Sequence, residues 1–303
     1  MNKPAPRPAK RSFPSAHEDA IKETTSPSAR YEGPESSYRL AFMDTQFLLR
    51  DELRPVRVQL ELLKPQLIQD EHEIEQTIVI FGSARIVAPD VAERELAEAR
   101  AGGDDKKLRF AESRAAMSRY YEEARRFSAI VTQRSATLDK PIYVVTGGGP
   151  GIMEAGNRGA FEVGGKSLGM NIVLAHEQVP NAYITPELCF QFHYFALRKM
   201  HFLMRAVALV CFPGGFGTLD ELFEVLTLTQ TGKSRMRPIL LFGREFWSRL
   251  IDFDLLIETG MISPGDVNLF HFVESAEEAW AMLAAEYGYD LPETTTGDLA
   301  VDI

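Results

Sequence analysis

Pro213, Gly214, Gly215, Phe216, Gly217 and Thr218 break an apolar run, residues 206–212, and Asp220 and Glu221 follow at once. Three glycines so close together let the backbone come within hydrogen-bonding distance of a ligand. Leu219, Leu222, Phe223 and Leu226, three and four apart, announce a helix after the loop. A strand, a glycine loop and a helix N-terminus in that order present free N–H groups to an anion, and a phosphate is the group they fit. Thr218 is expected to cap the helix, with Asp220 and Glu221 in its first turn, where the helix dipole stabilises negative charge. A buried strand before an ordinary capped helix would explain one of these acids without any function, but three glycines and a proline exceed what a cap requires.

Arg198 and Lys199 stand together in an otherwise apolar segment that leads directly into residues 206–212. A solvated helix edge is the plain explanation. The functional one turns a cation towards the glycine loop, where a planar guanidinium can hold a phosphate or ribose oxygen. Arg85, after Gly82, Ser83 and Ala84, is a weaker candidate of the same kind. A second glycine loop, Gly147, Gly148, Gly149, Pro150 and Gly151, departs from the dinucleotide pattern G-x-G-x-x-G, because Ile152 stands where the third glycine is required. Gly164, Gly165, Lys166 and Ser167 resemble the end of a P-loop, but Ala160 replaces its first glycine and the order is helix then strand. His193 and His201 read more readily as satisfied core or helix residues than as catalysts.

Around these residues strand and helix patterns alternate. Apolar runs at 77–81, 142–145, 167–174, 188–192, 206–212, 237–242 and 269–273 read as strands. Helical spacing marks 108–127, 152–161, 195–204, the stretch after Thr218, 245–258 and 275–286, and a charged insertion at 90–107 reads as surface helix or loop. The alternation predicts an α/β fold: a doubly wound, mainly parallel sheet with helices on both faces. Ligands of such sheets bind at the carboxyl ends of the strands where the chain order reverses, so the loops at Ser83, Gly147 and Pro213 should converge on one crevice.

Residues 1–37, rich in Pro, Ser, Lys and Glu, are expected to be a disordered tail. Residues 38–76 read as a helical extension, with Leu49, Leu53, Val56, Leu60, Leu63 and Leu67 at helical intervals interrupted by Pro55 and Pro65. The core domain spans 77–290, and 291–303 form a C-terminal tail. A net charge of -10 argues against nucleic-acid and membrane-surface binding, so an anionic ligand must be held by local N–H groups and a few arginines. Cys189 and Cys211 match no metal spacing and read as reduced core thiols of a cytoplasmic protein. No run approaches the ~18–20 apolar residues of a membrane helix.

Gly147-Gly148-Gly149-Pro150-Gly151-Ile152-Met153-Glu154, Arg198-Lys199 and Pro213-Gly214-Gly215-Phe216-Gly217-Thr218-Leu219-Asp220-Glu221 together resemble the LOG ("lonely guy") family of cytokinin-activating phosphoribohydrolases, formerly labelled lysine decarboxylases. The resemblance covers about residues 77–285. It implies a Rossmann-like nucleotide-binding catalytic domain, a homodimer or higher assembly, and no metal or organic cofactor. It also implies hydrolysis of the N-glycosidic bond of a purine nucleoside 5′-monophosphate, AMP or its N6-isopentenyl counterpart, to free base and ribose 5-phosphate. By motif, Arg198 and Glu221 match the catalytic pair. Lys199, Ser83, the loop from Gly147 to Gly151, Pro213 and the stretch from Gly214 to Asp220 match substrate contacts, with Thr227 further along the same helix. The alternative is a non-catalytic nucleotide or molybdenum-cofactor carrier of the same fold, in which the Arg198–Glu221 pair would be unnecessary. Decarboxylation finds no pyridoxal-phosphate lysine in a matching context.

Overall fold

The computed structural model describes residues 14–23, 31, 36–174 and 179–289. These fall into two units, 1–60 and 61–303. In the first, α1 (Ala16–Glu23) lies within the stretch expected to be a tail, most of which is outside the described residues, as is 291–303. The Asp44 carboxylate caps α2 (Thr45–Leu48) by accepting from Phe47 N, and a 3-10 turn, Asp51–Leu53, leads into α3 (Arg54–Glu71). Arg57 donates to the carbonyls of Leu48 and Arg50 at 2.8 and 2.6 Å and ties the turn to the helix.

The break expected at Pro65 does not occur; α3 runs through it. A proline inside a helix removes the hydrogen bond to the carbonyl four residues back, here that of Glu61. In the second unit His201 Nε2 lies 3.3 Å from this oxygen, which relieves the loss.

The core of the second unit is a seven-stranded sheet whose strands pair in parallel. The chain runs β1 (Gln76–Phe81), α4 (Pro89–Gly102), α5 (Asp105–Met117), α6 (Arg119–Ser135), β2 (Ile142–Thr146), α7 (Ile152–Glu162), β3 (Ser167–Ile172), β4 (Cys189–Phe192), α8 (Phe195–Met204) and β5 (Ala206–Cys211). It continues through α9 (Phe216–Gln230), β6 (Ile239–Phe242), α10 (Arg244–Leu250), α11 (Phe253–Glu258), β7 (His271–Val273) and α12 (Ala276–Tyr287). The order across the sheet is β4-β3-β2-β1-β5-β6-β7, so it reverses between β1 and β5.

Alternation along the strands distributes side chains to two faces. Ile78 and Ile80 of β1 join Ala208 and Val210 of β5 in a cluster with Tyr121 and Phe127 of α6, Ile152 of α7 and Trp280 of α12. Phe81 turns the other way and meets Phe202 of α8 edge to face, with ring centres 4.9 Å apart. Helices therefore cover both faces, as the alternating pattern predicts.

Two helices are shorter than their spacing suggests. The stretch 108–127 breaks at Ser118, whose hydroxyl donates to Ala115 O and ends α5. The stretch 245–258 breaks where the Asp252 carboxylate accepts from Leu255 N and starts α11. The insertion 90–107 is helical, forming α4 and the start of α5.

At the reversal, the loops after β1 and β2 interlock. Gly151 has φ +71°, and a Cβ there would lie 2.5 Å from the carbonyl oxygen of Ser83, while Ile152 N donates to that same oxygen at 3.1 Å. Only glycine meets both demands. Gly151→Ala should destabilise the fold by about 1–3 kcal/mol, read as a lower denaturant midpoint. An unchanged midpoint would contradict this packing.

Candidate active site

The cleft opens at the carboxyl ends of β1 and β5 and has a volume of about 680 Å³, within the roughly 300–1,000 Å³ of small-ligand sites. One wall is the loop after β5. α9 begins at Phe216, three residues earlier than the leucine spacing suggests, with Gly215 as N-cap and no side-chain cap. Thr218 therefore lies inside the first turn instead of capping it, and Asp220 and Glu221 fall beyond that turn. Gly214 makes room for Thr218: a Cβ on Gly214 would lie 2.1 Å from the Thr218 hydroxyl.

Gly215 and Gly217 are different. Neither has a positive φ, and a Cβ on either would meet nothing within 4 Å. The fold does not require glycine at these positions, yet both line the cleft beside the uncapped first turn. Backbone N–H groups there are open to an anion, and the missing side chains allow it to come close.

Thr218, Glu221, Leu222, Val225 and Thr229 are the buried residues of α9. Their spacing is an inward-facing stripe, and Glu221 occupies a position where packing alone would select an apolar residue. It is 4% exposed. Its Oε1 lies 3.6 Å from Arg198 Nη2, too far for a hydrogen bond, and has no hydrogen-bond partner among the described residues. Burial pushes its carboxyl up to about 7, against the opposing charges of Arg198 and Lys199. The unfolded chain gives up this proton first, so the fold loses stability as pH rises from the ordinary value towards about 7, by at most about 1.4 kcal/mol per pH unit.

Arg198 projects from the second turn of α8. Its guanidinium lies 4.9 Å from the ring centre of Phe195 and 5.7 Å from that of Phe202, a cation between aromatic faces of its own helix. Burial lowers its pKa, and Glu221 and Asp220 oppose that. Its Nε is buried without a hydrogen-bond partner among the described residues. A buried carboxylate and guanidinium, each with unused capacity and facing one cleft, are equipped to receive a polar ligand.

The cleft gathers Ser83, Gly147, Arg198, Gly214, Gly215, Phe216, Gly217, Thr218 and Glu221. Lys199, Asp220 and Thr227 fall outside its lining, beside a shallow hollow on the outer face of α9. There Lys199 pairs with Asp220 and Glu224, both at 2.9 Å; burial lowers its pKa but these partners raise it more. Gly148, Gly149 and Gly151 shape the loop without lining the cleft, and Pro213 faces a neighbouring hollow of about 200 Å³ between α5 and α10. Arg85 borders both spaces and has no ion-pair partner among the described residues.

Sequence reasoning did not single out Asn171, Leu174, Phe195, Phe202 and Leu250, which line the cleft together with Met153 and, apart from the Asn171 amide, give it an apolar wall. They come from four elements and one loop, and only the strand order brings them together. Phe192 is core, its ring 5.4 Å from that of His201 and tilted 45° to it. Gly165-Lys166-Ser167-Leu168-Gly169 has the spacing of a serine elbow, but Ser167 opens β3, is buried and receives a bond from Asn157 Nδ2. No group of three or more His, Cys, Asp or Glu is placed to hold a metal, and no helix is long and apolar enough to cross a membrane, among the described residues.

The fold and cleft define a parallel α/β protein with a glycine loop at an uncapped helix start beside a buried Arg–Glu pair. The family model described as "Possible lysine decarboxylase" matches residues 153–283. The cytokinin riboside 5′-monophosphate phosphoribohydrolase LOG7 of Arabidopsis thaliana is 34% identical over 100 residues, covering 33% of this chain and 46% of that protein. The probable phosphoribohydrolase LOGL3 of Oryza sativa subsp. japonica is 28% identical over 166 residues, 48% of this chain and 74% of that one. These matches bear out the resemblance to the LOG family, although the chain spans less than half of LOG7. Among solved structures, the molybdenum cofactor binding protein from Rippkaea orientalis matches with a TM-score of 0.45 and 14% identity, covering 70% of this chain and 98% of that one. A likeness so distant carries no inference about ligand.

The two glycine classes give a direct test. Gly215→Ala and Gly217→Ala should leave thermal stability unchanged or slightly raised while weakening AMP binding about tenfold or more by calorimetry. Unchanged affinity in both variants would remove the loop from the binding site.

Proposed function

We propose that this protein hydrolyses the N-glycosidic bond of a purine nucleoside 5′-monophosphate, AMP or its N6-isopentenyl counterpart, releasing free base and ribose 5-phosphate. The observation that carries the reading is Glu221: a carboxylate on a buried stripe, held opposite Arg198 at the mouth of an uncapped helix. A carrier needs no buried ionisable pair, so this feature favours the enzyme over the carrier reading.

The phosphate binds the N–H groups of the first turn of α9 and anchors the sugar. The C1′–N9 bond breaks with its electron pair leaving on the base, and positive charge develops on the ribose. The Glu221 carboxylate stabilises that charge more than it stabilises the neutral ground state. Water adds to C1′ and its proton passes to the departing base, so that ribose 5-phosphate and the neutral base are released, while Arg198 balances charge on the phosphate or the departing base. Exposed apolar residues on α8 and α9, Phe195, Met200, Phe216 and Phe223 among them, support a homodimer or higher assembly covering this face. The two free cysteines support a reducing, cytoplasmic setting.

Because the ionised carboxylate is the active form, kcat/KM should rise with pH and level off above about 7; this limb reports the free protein and lies above the substrate phosphate ionisation near about 6. Glu221→Ala should keep the fold and lower kcat by about a hundredfold or more. Near-normal turnover in that variant, or a rate that falls with rising pH, would sink the assignment.

A further inference from the structure

Nothing at the tip of Arg198 fixes it in place. Its side chain makes no hydrogen bond among the described residues, its contact with Glu221 is 3.6 Å, and its nearest rings belong to its own helix. Its aim is therefore set by how α8 is seated: the helix packs on β3 and β4, Lys199 ties it to α9, Arg237 donates to Leu203 O near its end, and residues 61–74 hold it at its start, middle and far end.

Three of its attachments come from residues 61–74. At the start of α8, the Glu61 carboxylate accepts from His193 N at 2.6 Å and Tyr194 N at 3.1 Å. Tyr194 is the N-cap of α8 and supplies no side-chain cap itself; a carboxylate from another helix takes its N–H, as the acid of a capping box does. In the middle, His201 lies 3.3 Å from the Glu61 carbonyl that Pro65 leaves free; the carbonyl only accepts, so Nε2 carries the proton. Burial lowers the His201 pKa, consistent with a neutral ring. At the far end Arg205, the C-cap of α8, donates to Asp70 at 2.6 Å, to Gln66 O at 3.3 Å and to Ile74 O.

We propose that Glu61 is a positioning residue for the reaction: by capping α8 from α3 it holds Arg198 opposite Glu221. Residues of the helical extension that precedes the sheet thus become part of the catalytic apparatus without touching substrate. The inference rests on the reading of Arg198 and Glu221 as the reacting pair. Asp70, at the other end of α8, is an attachment of the same kind with no route to Arg198 except through the whole helix.

The test compares Glu61→Ala, Glu61→Gln and Asp70→Asn in the full chain by two readouts. The first is the titration midpoint of Glu221, followed by carboxyl NMR in nucleotide-free protein. Arg198 and Lys199 of α8 and Asp220 and Glu224 of α9 are the charges that act on it. Glu61→Ala should move the midpoint upward by about one pH unit, because the cation is no longer held near. Glu61→Gln, which keeps one accepting oxygen, should give a smaller shift and covers the case in which the alanine variant does not fold. Asp70→Asn should lower thermal stability and leave the midpoint in place. The second readout is AMP turnover: Glu61→Ala should lower kcat about tenfold or more with little change in KM. Arg198→Met should then cost much less in the Glu61→Ala background than in the unmutated chain. An unchanged midpoint with unchanged kcat, or additive costs of the two substitutions, would overturn the proposal. If the unmutated chain releases no base from AMP, the glycosidase reading has failed, and the midpoint alone decides the role of Glu61.

Discussion

A carboxylate buried at a core position is costly unless something charged answers it, and the site follows from how Glu221 is answered. Arg198 approaches without closing a hydrogen bond, and both groups retain unused donors and acceptors. The pair is therefore under-satisfied, and burial outweighs the nearby cations, raises the Glu221 pKa and costs the fold stability at neutral pH. One and four residues further along the helix, Leu222 and Val225 obey the packing rule that Glu221 breaks. Positions that break a local rule at the expense of stability are where function is to be sought.

The sheet order supplies the space. Because neighbours reverse between β1 and β5, the loops that follow these strands part and leave a cleft between them. Gly151 and Gly214 are needed so that the loops close-pack around it, whereas Gly215 and Gly217 leave room inside it. One short motif thus contains glycines of two physical kinds, those the packing requires and those that only border the cleft. The outer face of α9 is held separately, by Lys199 between Asp220 and Glu224.

Much of this was legible in the sequence. Seven apolar runs marked the seven strands, with edges displaced by one or two residues, and the alternation with helices specified a parallel sheet. Glu221, Arg198 and the loop from Gly214 to Thr218 stand out in the sequence because residue type and spacing carry their chemistry, and the fold brings them to one cleft. Less legible was anything set by distant partners. Pro65 reads as a helix breaker, and only the position of His201 shows how the helix survives it. The helix start at Phe216 was hidden by Gly217, a weak helix former tolerated in a first turn. Lys199 and Arg198 look equivalent in sequence, but one position of rotation, roughly 100°, sends them to opposite sides of α9. The apolar wall formed by Leu174, Phe195, Phe202 and Leu250 has no sequence signature, because its members share only a place in the fold.

The central claim is that a phosphate held at the start of α9 places a ribose beside Glu221 for cleavage. It is tested most directly by measuring free adenine released by purified protein from AMP and from adenosine side by side. The account predicts adenine from AMP, with kcat/KM for adenosine lower by about a hundredfold or more, since the remote phosphate supplies the binding energy that positions the sugar. Equal cleavage of adenosine would contradict the phosphate anchor, and no adenine from AMP that nonetheless binds would contradict the enzyme.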